Sequence, residues 1–177
     1  MRGDKQDKRL LAGVAGGYGA WYYSSIAMEI TTNAIKELRE MTGVSVMQCK
    51  KALEEAEGDS AKAHLILKKH SAASARGKAD RMLAAGTIGS YVHDGNIGAM
   101  VLLSSETDFV AKNPEFGALA RELAMQVAAM DPENTDVLLE QSSIKNESMT
   151  VRDLLNEATQ KFGEHVEISR FARLSAR

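Results

Sequence analysis

One cysteine, Cys49, stands in 177 residues. That excludes an internal disulfide and fits a reducing, cytoplasmic setting. Aromatic residues are only 5% of the chain, so aliphatic side chains must carry any core. Neither sign of charge is in excess: 22 basic residues face 24 acidic ones, a net charge of −2. A general polyanion binder needs a clear basic surplus, so a direct nucleic-acid partner is not expected. No apolar run reaches about 18 residues, the length needed to span a bilayer, so no membrane role is expected. The four histidines (His64, His70, His93, His165) are scattered, and none has metal-ligand spacing with Cys49. A phosphate-binding loop of the G-x-x-x-x-G-K-[ST] type is missing, and Ser104 and Ser105 have no histidine nearby in sequence. No catalytic constellation, metal site or cofactor is therefore expected.

What remains is a chain that is 44% hydrophobic, enough for one ordinary domain or a small and a medium one. Residues 1–27 stand apart. A charged start precedes a glycine-rich stretch holding Trp21, the sole tryptophan, and ending in Ser25-Ile26-Ala27. The order is that of a signal peptide, yet the glycines and Trp21-Tyr22-Tyr23 make a poor apolar segment. Residues 1–27 thus read as a disordered leader outside the fold, with a targeting peptide as the alternative.

Residues 29–71 read as three short helices. Ile35, Leu38 and Met41 share one face of the first. Ser45 and Gln48 have capping-box spacing ahead of a stripe of Val46, Cys49, Ala52, Leu53 and Ala56, and Asp59 caps a third helix with Ala63, Ile66 and Leu67 inward. Helices this short persist only by burying their stripes together. Residues 72–85, small and basic, read as a helical connector. Residues 86–177 form an α+β core. Its hairpin turns at Asp94-Gly95, and its return strand, residues 97–104, is apolar on both sides, which predicts a central strand covered on both faces. A helix starts at Asn113-Pro114, a polar loop occupies 131–149, a last helix is capped by Thr150 and Asp153, and a closing strand near Val166 and Ile168 has a bulge near Arg170. The predicted class is α+β: a three-helix bundle, then a small antiparallel sheet packed with helices.

The stretch Thr107-Asp108-Phe109-Val110-Ala111-Lys112-Asn113 lies where strand gives way to helix. Only at such a junction can adjacent acid and ring both project from one corner. Spacing alone favours a plainer reading, a helix cap followed by a core phenylalanine. Glu106 and Asp108 as a metal pair are less convincing, since two acids rarely suffice.

Three stretches resemble the bacterial elongation factor Ts family, the exchange factors for elongation factor Tu. The first is Ile35-Lys36-Glu37-Leu38-Arg39-Glu40-Met41-Thr42-Gly43 with Met47-Gln48-Cys49-Lys50-Lys51-Ala52-Leu53. It is similar to the family's N-terminal module, a bundle like ubiquitin-associated (UBA) domains. The second, Glu106 to Asn113, is similar to the core signature. The third and weaker one is Phe162-Gly163-Glu164-His165-Val166-Glu167-Ile168-Ser169-Arg170, where His165 stands at a position the family tends to fill with asparagine. The resemblance implies an exchange factor without covalent chemistry, acting in protein synthesis on elongation factor Tu in its GDP-bound and nucleotide-free states. Thr107, Asp108, Phe109 and Val110 would displace magnesium, with Lys112 and Asn113 in support. Leu38, Arg39, Met41, Thr42, Val46 and Met47 would dock the N-terminal module. Only the short stretch 131–149 stands where many members carry an insertion and a second half-core, so the resemblance is to the abbreviated form, and a homodimer is expected to complete the surface. The rival reading is a helical adaptor for peptides or ubiquitin-like folds, which leaves the second stretch without a role.

Overall fold

The computed structural model describes residues 30–176; the leader expected at 1–27 lies outside the described residues. Three helices come first: α1 (Thr32–Thr42), α2 (Val46–Glu55) and α3 (Ser60–Arg76). Each starts where a side-chain oxygen meets a free amide. Thr31 accepts from Ala34 N–H (3.2 Å), Ser45 from Gln48 N–H (3.4 Å), and Asp59 from both Ala61 and Lys62 N–H (2.9 and 3.0 Å). The Ser45–Gln48 pair departs from a full capping box, because the Ser45 hydroxyl itself donates to Gln48 Oε1. The helices close on one cluster of Leu38, Val44, Cys49, Ala52, Leu53, Ala56, Ala63 and Leu67. Helix α3 runs on to Arg76, through the first part of the stretch read as a connector, because Ala72, Ala73 and Ala75 continue a good helical sequence.

The core is a three-stranded antiparallel sheet in the order β1 (Ala85–His93), β2 (Ile97–Ser105), β3 (Glu167–Ser175). Asp94 and Gly95 take φ of 48° and 70° to close the β1–β2 hairpin. The β2–β3 register slips between Leu102 and Leu103: Leu102 pairs with Arg170 and Leu103 with Ile168, leaving Ser169 as the extra residue of the expected bulge. Four helices complete the core: one-turn α4 (Asp108–Ala111), α5 (Pro114–Met130), α6 (Thr135–Glu140) and α7 (Val151–Phe162). Helix α5 lies across one sheet face. Phe116, Ala120, Leu123, Ala124 and Val127 pack there with Ala99, Val101 and Leu103, and the Phe116 and Phe162 rings meet edge to face at 5.5 Å.

The expectation that β2 is covered on both faces is corrected. It is the central strand, but Met100 (52% exposed) and Leu102 point to solvent with Ile88, Val92 and Leu174 on the neighbouring strands. The described helices that pack on the sheet lie on the other side, so the second apolar face has no cover among the described residues. The loop read at 131–149 is also more ordered than its polarity suggests. It contains α6, whose Leu138 is fully buried, and it is pinned by the buried Gln126 side chain, which donates to Ser142 O and Gln141 Oε1 and accepts from Ile144 N–H. A glutamine on the inward side of a helix satisfies a loop's backbone in this way instead of leaving it orphaned.

The bundle meets the core mainly along α3 and α7. Lys68 pairs with Asp153 at 2.7 Å, and the Ser71 hydroxyl bonds Gln160. Asp153 also completes the α7 capping box with Thr150. Although burial pushes the Asp153 carboxyl upward, the bonds from Lys68 and Thr150 outweigh it and hold it below the usual range. Glu157, one turn further on, has no such bonds. Burial, then the Asp153 charge, raise it to about 6, with Lys68 opposing. A carboxyl raised on folding stabilises below its unfolded value and loses that contribution as pH rises through its folded value. Between pH 4.5 and 7 the parent should therefore lose about 1 kcal/mol relative to Glu157→Gln, after discounting for solvent screening. Denaturant titrations across that window check this, and parallel profiles for the two proteins contradict it.

Candidate functional site

Strand β2 ends at Ser105, and within three residues the chain enters α4. Thr107 is extended (φ −126°, ψ 156°) and Asp108 opens the turn. The reversal places Val110 and Ala111 in the core and leaves Phe109 outside, 82% exposed. A phenylalanine this bare at a strand–helix corner is the opposite of the plainer reading, in which the ring fills the core. Asp108 is exposed beside it, and Lys112 one turn on donates to its carboxylate at 2.6 Å. That bond, reinforced by the Lys112 charge, holds the Asp108 carboxyl below the usual range.

The corner is tied down from behind. Thr107 C=O accepts from the Ser105 hydroxyl (3.0 Å) and from Ala111 N–H (3.2 Å), and Ala111 C=O accepts from the Thr87 hydroxyl on β1 (2.9 Å). Asn113 accepts from Glu115 N–H, capping α5, and Pro114 fills its first turn. Glu106 is no metal partner of Asp108. It takes the His165 N–H at 2.6 Å and the Arg81 guanidinium at 3.2 Å, and these, the His165 bond foremost, hold its carboxyl low. Among the described residues no cluster of three or more His, Cys, Asp or Glu side chains could hold a metal ion. No described helix is long and apolar enough to cross a membrane. Cys49 is fully buried, which pushes its thiol upward, against a nucleophilic role.

The residues singled out on the bundle divide. Arg39, Met41, Val46 and Met47 are exposed around the α1–α2 turn, and the two methionines and Val46 form an apolar surface. Leu38 and Thr42 are instead part of the bundle's interior: Leu38 is 1% exposed, and the buried Thr42 hydroxyl donates to Leu38 C=O at 2.7 Å. Val110 is similarly interior. These three are buried and hold the exposed surfaces in place from inside. The reason is geometric. On α1 the face that meets α2 and α3 includes position 38, and a threonine one turn later tucks its hydroxyl back onto the helix.

Sequence reasoning missed Arg81 and Glu164, which join Glu106 in bracing the corner. Glu164 takes both Thr107 N–H and the Thr107 hydroxyl. The partners are 57 positions apart, and no periodicity links them. The only signal was that Gly163, Glu164 and His165 fall in a stretch that matched the family pattern.

Comparison with known proteins assigns the family. A family model described as Elongation factor TS matches residues 106–177, which span the corner and the closing strand. The chain is 40% identical to elongation factor Ts of Carboxydothermus hydrogenoformans over 190 positions, covering 81% of this chain and 88% of that one. It is also 40% identical to the Thermotoga maritima protein (82% and 96%) and 37% identical to that of Thermodesulfovibrio yellowstonii (82% and 96%), each likewise named elongation factor Ts. The 190 aligned positions outnumber the residues this chain contributes to them, so the relatives carry residues without a counterpart here. Identity at this level over four fifths of the chain leaves no room for a chance match: the chain belongs to the elongation factor Ts family.

Proposed function

We propose that this chain binds elongation factor Tu carrying GDP, displaces its magnesium ion and so speeds GDP release during protein synthesis. The observation that carries the reading is Phe109: a large apolar ring held in solvent by a backbone braced on three sides. Leaving such a ring in water is unfavourable, and its rigid outward placement suits insertion into an apolar slot of a partner.

An exchange factor makes and breaks no covalent bond. It must bind the nucleotide-free partner more tightly than the GDP-bound one, and by linkage GDP weakens its grip by the same factor. In the partner, magnesium bridges phosphate and protein. Phe109 enters as an anchor, and Asp108, held ionised by Lys112, disturbs the groups that position the cation. Phosphate charge is then less compensated and GDP leaves. The exposed patch of Arg39, Met41, Val46 and Met47 docks the bundle elsewhere on the same partner. Release of a fluorescent GDP analogue from elongation factor Tu tests this. The rate should climb with added chain and then saturate; a rate that does not move defeats the proposal.

The open sheet face bears on the oligomeric state. Ile88, Val92, Met100, Leu102 and Leu174 form an uncovered apolar surface of the kind monomers rarely leave in water. A second copy, related by a two-fold axis, covers it with an identical face. We expect sedimentation at micromolar concentration to give twice the 19.2 kDa chain mass, and Met100→Glu to return it to one chain. A single-chain mass for the parent removes the dimer.

A further inference from the structure

We propose that Glu164 is the positioning residue of the Asp108–Phe109 corner, acting through Thr107. Its consequence for GDP release rests on the exchange reading above, but its structural half can be tested on the chain alone.

A threonine at the residue before a helix ordinarily turns its oxygen onto a free amide of the first turn. Thr107 makes no such cap bond. Its hydroxyl instead donates to Glu164 Oε1 at 2.6 Å, while its N–H donates to Glu164 Oε2 at 3.0 Å. One carboxylate thus holds both the Thr107 rotamer and the Glu106–Thr107 peptide plane, one residue before α4. A single turn of four residues cannot hold its own direction; α4 inherits it from what precedes. Downstream, Val110 and Ala111 are fixed by burial. Upstream, the anchors beyond the strand's own end are Glu164 and the Ser105 hydroxyl on Thr107, and the His165 N–H and Arg81 guanidinium on Glu106. Glu164 follows Gly163, whose left-handed φ of 76° ends α7 and sends the chain back past the corner. Between these two anchored sides stand Asp108 and Phe109, neither of which packs into the core.

Glutamine at 164 can keep both contacts, its oxygen accepting from Thr107 N–H while its amide donates to a turned hydroxyl; alanine keeps neither. Hydrogen exchange of amides 107–111 should be faster in Glu164→Ala than in the parent and near-parental in Glu164→Gln. In the GDP-release assay, Glu164→Ala should lower the maximal rate about tenfold, as misplacement of a functional side chain by a fraction of an ångström does, while the half-saturating concentration stays within about twofold because the bundle patch is intact. Glu164→Gln should recover most of that rate. Unchanged amide exchange in Glu164→Ala overturns the proposal. So does equal impairment of the alanine and glutamine variants with a matching loss of thermal stability, which would mark a general structural role. If the parent itself fails to speed GDP release, the exchange reading falls, and the amide measurement still decides whether Glu164 positions the corner.

Discussion

Phe109→Ala should slow stimulated GDP release by about ten- to a hundredfold, since truncating a central aromatic anchor costs roughly 2 kcal/mol or more at an interface. The structure makes this a clean experiment. The ring is 82% exposed and belongs to neither core cluster, so the variant should fold as the parent does, within about 0.5 kcal/mol. A loss of exchange cannot then be assigned to unfolding. Val110→Ala is the instructive neighbour: it removes core atoms and should lower stability first. If Phe109→Ala releases GDP at the parental rate, the ring is not the wedge.

Gly89→Ala should destabilise the fold by about 3 kcal/mol, the upper range for overpacking a tight interior. Gly89 lies on β1 where α5 crosses it most closely. A β-carbon there would fall 2.1 Å from the backbone carbonyl carbon and oxygen of Ala120. Backbone cannot rotate aside as a long side chain can, so the helix must lift from the sheet. Its first residues adjoin the corner, which means a lifted α5 also disturbs Asn113 and Lys112. Gly117→Ala serves as the control: it is on the same helix, and its added carbon meets nothing within 4 Å. It should stabilise by roughly 0.5–1 kcal/mol, the usual glycine-to-alanine difference in a helix. Denaturant midpoints decide between these, and a Gly89→Ala midpoint equal to the parent's contradicts the close-packing account.

Much of the architecture was legible because the signals were local. Caps at Ser45, Asp59, Asn113 and Thr150, the Asp94-Gly95 turn and the helical stripes each involve residues within a few positions of one another, where spacing reflects geometry directly. The bulge near Arg170 was readable for the same reason: Phe171 breaks the alternation. The candidate site was only half legible. Periodicity could not say whether Phe109 faces in or out, because a one-turn helix has too few residues to define a face, and family likeness supplied that orientation. The open side of β2 was misread since a strand apolar on both faces looks alike whether its cover comes from the same chain or from elsewhere. Neither Glu164 nor Arg81 could be found from spacing, as contacts across 57 and 25 positions leave no imprint on local pattern.

Helix α3 has a further consequence. Its seventeen residues pack against α1 and α2 at one end and against α7 at the other, so a single rod belongs to both halves of the molecule. On the exchange reading proposed above, the methionine patch near the α1–α2 turn and the phenylalanine tooth would be the two jaws of a calliper whose gap is preset. On that reading, once one jaw has seated, the other would already be at its target at a high effective concentration, with no tether to straighten. Lengthening or hinging that rod would leave both grips intact, yet the molecule would lose the measure of what it grasps.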